Sequence, residues 1–155
     1  MKTAGRHFEV SVRQDLRPRP LRGERIRALV RRALSRLAAA EADVRVIVVG
    51  DDDMERWNRD FLNRAGTTNV IAFPDDAPGE ARPDRIAGDI LVSAPTCLAQ
   101  TRGWAGTADE RVFYFILHGM LHLAGYDHEK GAAGARRMRR AESDLYRSVL
   151  GSGRT

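Results

Sequence analysis

The stretch TADERVFYFILHGMLHLAGYDH, running from Thr107 to His128, decides the architecture. Its opening Thr107-Ala108-Asp109-Glu110 has the S/T-x-x-E form of a capping box, in which hydroxyl and carboxylate satisfy the free amides that begin a helix. The run that follows, with Val112, Phe113, Phe115, Ile116, Leu117, Met120 and Leu121, is apolar almost all round. Such a helix belongs inside a domain. Gly125 is a natural stop in left-handed conformation. His118 and His122 break the apolar surface four residues apart, so both imidazoles project from one face, one turn apart. Burying them unpaired would cost roughly 1–3 kcal/mol each. His128 follows three residues after the glycine turn, which can bring a third ring nitrogen to the same point. Three imidazoles leave a fourth position open for water, the arrangement of a catalytic zinc site. Zinc held there lowers the pKa of its water to around 7. Asp127 is a candidate for a supporting carboxylate, a fourth ligand or a turn residue.

The rest of the chain supplies the domain around that helix. His7 to Val12 reads as a first strand, and His7 is assigned to it with no function. After the Pro18 and Pro20 breaks, Leu21 to Ala40 repeats apolar residues at Ile26, Leu29, Val30, Ala33, Leu34 and Leu37, the spacing of an amphipathic helix. Val44 to Val49 is a buried strand by its β-branched content. Asp51-Asp52-Asp53 suits a helix start, as carboxylates cap amides and oppose the positive dipole end. That helix is expected to reach about Leu62. Thr67 to Phe73 is a third strand closed by Pro74, and Asp75 to Arg85 a loop or hairpin tip. Ile86 to Ser93 is a fourth strand interrupted at Gly88-Asp89, Pro95 to Arg102 a short helix, and Ala132 to Leu150 a final amphipathic helix. The expectation is one α/β (α+β) domain over residues 1–155, with a mixed sheet of about four strands and four or five helices. The metal site falls at the end of the central buried helix, and the tail after about residue 150 is expected to be disordered.

Of 155 residues, 26 are Lys or Arg against 21 Asp or Glu, for a net charge of +5. Only Lys2 and Lys130 are lysine, so 24 of the 26 are Arg. Arginine makes bidentate phosphate contacts, which admits a nucleic-acid partner alongside a plain codon preference. Arg22, Arg25, Arg27, Arg31 and Arg32 gather on the first helix and Arg136, Arg137, Arg139 and Arg140 on the last. Either group is a solvated face or a phosphate-binding surface. Aromatic residues are only 6% of the chain, so nucleic-acid recognition would rest on backbone and shape. The single cysteine, Cys97, forbids an internal disulfide and reads as a buried thiol. Met1 to Val12 lacks the apolar core of a signal peptide, and no stretch approaches the roughly 18 apolar residues of a membrane span. A cytoplasmic location is the expectation.

The spacing H-x-x-x-H-x-x-G-x-x-H is shared with metzincin proteases, where a Glu after the first His is the general base. Here that position is Gly119, so the protease mechanism lacks its proton acceptor.

The sequence resembles the YbeY family of bacterial metal-dependent endoribonucleases. His118 to His128 follows the family's H-G-x-L-H-L-x-G-Y-D-H at every specified position. Thr68-Asn69-Val70-Ile71-Ala72-Phe73-Pro74 is similar to its T-[DN]-V-L-S-F-P strand, Gly88-Asp89-Ile90 to its G-D-I strand, and Trp57-Asn58 to the L-N of the preceding helix. The resemblance implies that His118, His122 and His128 hold one Zn²⁺ per chain. It implies a single-strand-specific endoribonuclease of rRNA maturation, at the 3′ end of small-subunit 16S rRNA, and of ribosome quality control. Its partners would be single-stranded RNA and the small ribosomal subunit, with no membrane and no DNA. Two departures stand out. The family's RNA-contacting Arg before the strand falls on Leu62, leaving Arg64 as the candidate catalytic cation two positions later. Ala72 lacks the hydroxyl that the family more often carries there.

The alternatives are a metallohydrolase of another substrate, such as a peptide, and a non-catalytic zinc-containing ribosome-associated factor. Hydrolysis of casein would mark the first, and a protein ligand in the fourth metal position the second.

Overall fold

The computed structural model describes residues 6–77, 80, 82, 84–126 and 131–151. In chain order its elements are β1 (His7–Gln14), α1 (Gly23–Arg36), β2 (Glu41–Val49), α2 (Asp51–Leu62), β3 (Val70–Pro74), β4 (Arg85–Ser93), α3 (Ala94–Gln100), α4 (Ala108–Leu123) and α5 (Gly131–Gly151). The strands form one sheet in the order β1-β2-β4-β3. β1, β2 and β4 are parallel, and β3 is antiparallel to β4. The expected mixed α/β architecture is therefore present, with four strands and five helices among the described residues. Residues 127–130 and 152–155, which include His128, Asp127 and most of the expected disordered tail, lie outside the described residues.

The period of two along β2 separates the two layers. Val44, Val46 and Val48 join α1 and α4 in the main core, while Val49 packs with Met54 of α2 on the opposite face. α4 starts with the expected capping box: Thr107 Oγ1 accepts from the Glu110 N–H at 3.2 Å, and Glu110 Oε1 accepts from the Thr107 N–H at 3.0 Å. Phe113, Ile116, Leu117, Met120 and Leu121 are all fully buried, which puts this helix at the centre of the domain. Gly125 does take the left-handed turn, at φ 96°.

Three expectations need correction. β4 is continuous through Gly88 and Asp89, because β2 and β3 pair with it on both sides there. A side chain at Gly88 would meet the Phe73 carbonyl at 2.3 Å, so glycine is what lets β3 and β4 close. α1 ends at Arg36 and not near Ala40, since the chain turns at Ala38 with φ 58°. The Asp51 carboxylate does not cap its helix: α2 begins after Gly50 with no side-chain cap. Instead Asp51 Oδ1 accepts from the Ser93 and Thr96 hydroxyls at 2.5 and 2.6 Å, tying α2 to α3 and holding its pKa below the usual 3.8. With Asp52 and Asp53 it still places negative charge in the first turn, as the dipole favours.

Candidate active site

His118 and His122 point to one place, and their Nε2 atoms are 2.9 Å apart. They share the wall of a cavity of about 320 Å³ with Thr68, Asn69, Val70 and Ala72 of β3 and the segment leading into it. Close seating of α4 on the sheet creates this arrangement. A Cβ at Gly119 would stand 2.8 Å from Ile90 Cγ2 of β4, so the helix backbone rests almost on the strand. His118, next to Gly119, and His122, one turn on from His118, then overhang β3, the edge strand. This explains the three-residue Gly88-Asp89-Ile90 segment in physical terms. Gly88 admits the β3 main chain, and Ile90 is the surface on which Gly119 sits. Asp89 accepts from Arg45 Nε at 2.7 Å, and Arg45 also meets Asp75 at 2.5 Å and Asp43 at 2.9 Å. Two strands and the turn after β3 are thereby joined. Hydrogen bonds to Asp89 and then Asp75 hold the Arg45 guanidinium above its ordinary pKa.

Glu142, which sequence reasoning did not single out, stands behind the site. It lies on α5 and is only 4% exposed. One carboxylate oxygen bonds His118 Nδ1 and the other accepts from the Tyr114 hydroxyl at 3.2 Å. Burial first, and then the neighbouring carboxylate charge, raise the Tyr114 phenol above its usual pKa of 10. A carboxylate can only accept from an imidazole, so the proton sits on Nδ1 and the Nε2 lone pair faces the cavity. A signal was available: Glu142 falls in step with Met138, Leu145 and Val149, the buried stripe of α5. A carboxylate in an apolar stripe needs a partner.

Arg64 is not part of the cavity wall. It is exposed just beyond α2, and the nearby wall residue is Leu62. Ala72 is in the wall, as a methyl group where the family more often has a hydroxyl. Asn58 is buried and donates from Nδ2 to the Gly66 carbonyl at 3.0 Å, which shapes the loop carrying Arg64. No described set of three His, Cys, Asp or Glu side chains converges as a metal cage. His118 and His122 are the two of the three expected ligands that fall within the described residues.

The α1 arginines have structural employment. Arg27 Nε donates to the Val10 carbonyl at 3.0 Å and Arg31 Nη1 to the Phe8 carbonyl at 2.9 Å. Arg32 reaches the Val149 carbonyl at 3.0 Å, Arg36 the Ser148 hydroxyl at 2.8 Å, and Arg25 the Glu110 carboxylate at 3.5 Å. These side chains hold α1 to β1, α4 and α5, while Arg22, Arg27 and Arg31 remain exposed to solvent.

A protein of Thermotoga maritima with a known solution structure shares this fold, with a TM-score of 0.62 at 23% identity, over 95% of this chain and 91% of its own. The shared fold is a single sheet-and-helix domain, and in this chain the paired-histidine cavity lies under its central helix. The sequence profile described as Endoribonuclease YbeY matches residues 12–149. Proteins named Endoribonuclease YbeY from Geobacter metallireducens and Chloroflexus aurantiacus are 34% and 38% identical to it. The alignments cover 90% of this chain and 94% of the first relative, and 79% and 86% for the second. The chain belongs to the YbeY family. No described helix is long and apolar enough to cross a membrane.

Proposed function

We propose that the protein is a metal-dependent endoribonuclease that cuts single-stranded RNA, with one Zn²⁺ held by His118, His122 and His128, and that it acts in maturation of small-subunit rRNA. The observation that carries this reading is the convergence of two imidazole Nε2 atoms, 2.9 Å apart, on one open cavity. The donor set fits the cation. His118 has its Nδ1 engaged by Glu142 and its Nε2 turned to the cavity, the arrangement typical of a metal-ligating histidine. The contact between the rings is a hydrogen bond only while one Nε2 carries a proton. In the tautomer that carries this proton on Nδ1, two Nε2 lone pairs meet at one point. When bound, the cation supplies a Lewis acid that acidifies water and offsets phosphate charge.

The chain's own residues do the rest. Glu142 and Tyr114 keep the His118 ring from turning. Leu62 and Ala72 form apolar parts of the cavity wall. Arg64, outside the wall, offsets charge on the phosphate from the solvent side. Water or the RNA 2′-hydroxyl can be the nucleophile here, and the product termini tell them apart: a cyclic 2′,3′-phosphate marks the second.

A peptidase reading lacks support at two residues. Gly119 cannot carry a base because α4 rests on Ile90 at that point, and Glu142 meets the Nδ1 side of His118, away from the cavity. The test is cleavage of single-stranded RNA and of casein by purified protein, before and after chelation and zinc restoration. RNA cleavage that disappears with chelator and returns with zinc is the expected result. Cleavage unaffected by chelation and by His122→Ala overturns the assignment.

A further inference from the structure

We propose that the free edge of β3 is the bed for the RNA backbone, with the main-chain N–H groups of Val70 and Ala72 donating to its phosphates. This deepens the endoribonuclease reading and rests on it.

β3 is an outer strand of the sheet. Its register with β4 pairs Ile71 with Leu91 and Phe73 with Asp89. Flanking bonds of the same set run from the Ser93 N–H to the Asn69 carbonyl at 3.0 Å and from the Asp75 N–H to the Ala87 carbonyl at 3.1 Å. Odd-numbered residues of β3 therefore bond to β4. In an antiparallel ladder the residues between them turn both N–H and C=O the other way. Val70 and Ala72 accordingly offer two main-chain donors to the open side, about 7 Å apart along the strand. Pro74 ends the row, having no N–H.

Three observations make this edge a binding element. His118 and His122 overhang it, and Val70 and Ala72 line the same cavity. No carboxylate lines that cavity among the described residues. The treatment of the two sheet edges also differs. Open strand edges invite unwanted pairing and are usually covered or charged. On β1, Arg27 and Arg31 cover the outward carbonyls of Val10 and Phe8. On β3, no described side chain bonds the main chain of Val70 or Ala72, and the Ala72 methyl is too small to shield it. The edge beside the histidines is the one left open. Main-chain amides are regular phosphate donors in nucleic-acid complexes, and bonds to a charged acceptor are the stronger kind.

The experiment is a titration of ¹⁵N-labelled full-length protein, with its metal, against a single-stranded oligoribonucleotide whose 2′-hydroxyls are methylated to block cleavage by that group. The expected result is a large shift of the Val70 and Ala72 amide signals and small shifts for Ile71 and Phe73. Ala72→Pro removes one outward donor while sparing the ladder, a place where an edge strand tolerates proline. It is expected to weaken oligonucleotide binding about ten- to a hundredfold with zinc content unchanged. Binding with unmoved Val70 and Ala72 amides overturns the edge proposal and leaves the RNA reading standing. Absence of oligonucleotide binding by the wild-type protein overturns the RNA reading, and the edge proposal with it. An extended peptide that shifts the same two amides in place of RNA also overturns it.

Discussion

Glu142 of α5 closes on Nδ1 of His118 of α4, and the same carboxylate takes the Tyr114 hydroxyl. The last helix is thereby joined to the proposed metal site through a buried charge. Replacing one partner leaves the others unsatisfied in the interior, which costs about 1–3 kcal/mol per group.

Glu142→Ala is therefore expected to weaken zinc affinity about 10- to 100-fold and to lower stability. Glu142→Gln, which keeps one acceptor and the shape, should lose less of both. Chelator competition reads the first effect and urea denaturation the second. Equal zinc affinity in wild type and Glu142→Ala would remove Glu142 from the account.

Gly119→Ala places a methyl 2.8 Å from Ile90 Cγ2 and 3.3 Å from its Cγ1. α4 must lift off the sheet, so a loss of about 1–3 kcal/mol is expected, in the range for overpacking. A fall in the urea midpoint with an unchanged slope is the signature. Ile90→Ala, which removes both γ carbons, should make Gly119→Ala less costly in a double-mutant cycle, because the two residues touch.

Much of this was legible in the chain. The α4 capping box, its all-round apolar surface and the turn at Gly125 are local features, and local features survive folding. The histidine pair was legible for the same reason, since i and i+4 fix a shared helix face. Glu142 was not. It lies 24 residues from His118, and only the packing of α5 on α4 shows which residue its carboxylate meets. The roles of the α1 arginines were hidden likewise. Arg27, Arg31 and Arg32 bond main-chain carbonyls, the first two on β1, and a carbonyl leaves no mark in composition. The α1 boundary failed at Ala38, where a helix-favouring residue adopts φ 58° to lead the chain into β2.

Arginines of the two kinds should separate experimentally. Arg27→Ala and Arg31→Ala uncover edge carbonyls of β1, so each should cost about 0.5–1.5 kcal/mol, raise aggregation and leave the salt dependence of RNA binding alone. Arg64→Ala should leave the melting temperature unchanged and weaken RNA binding, with the slope against log[salt] reduced by about 1. Thermal melts and oligonucleotide titrations at several salt concentrations check both. The reverse pattern would place phosphate contact on α1.

Cys97 of α3 is fully buried, with its thiol 3.6 Å from the Asn69 carbonyl just before β3, and burial pushes its pKa from 9.0 up to about 12. At pH 8 to 9 it stays a neutral thiol, the unreactive form. Native protein should resist thiol reagents there and label fully once denatured. Rapid labelling of the native state would show that α3 opens readily from the sheet.

The central claim concerns what His118 and His122 hold, and a crystal grown with zinc and measured on both sides of the zinc absorption edge tests it most directly. One anomalous peak per chain is expected, bonded to Nε2 of His118 and His122 and to His128, with a fourth position open to solvent. A map with no peak at the His118–His122 pair, or a peak whose four ligands are all protein atoms, would contradict it.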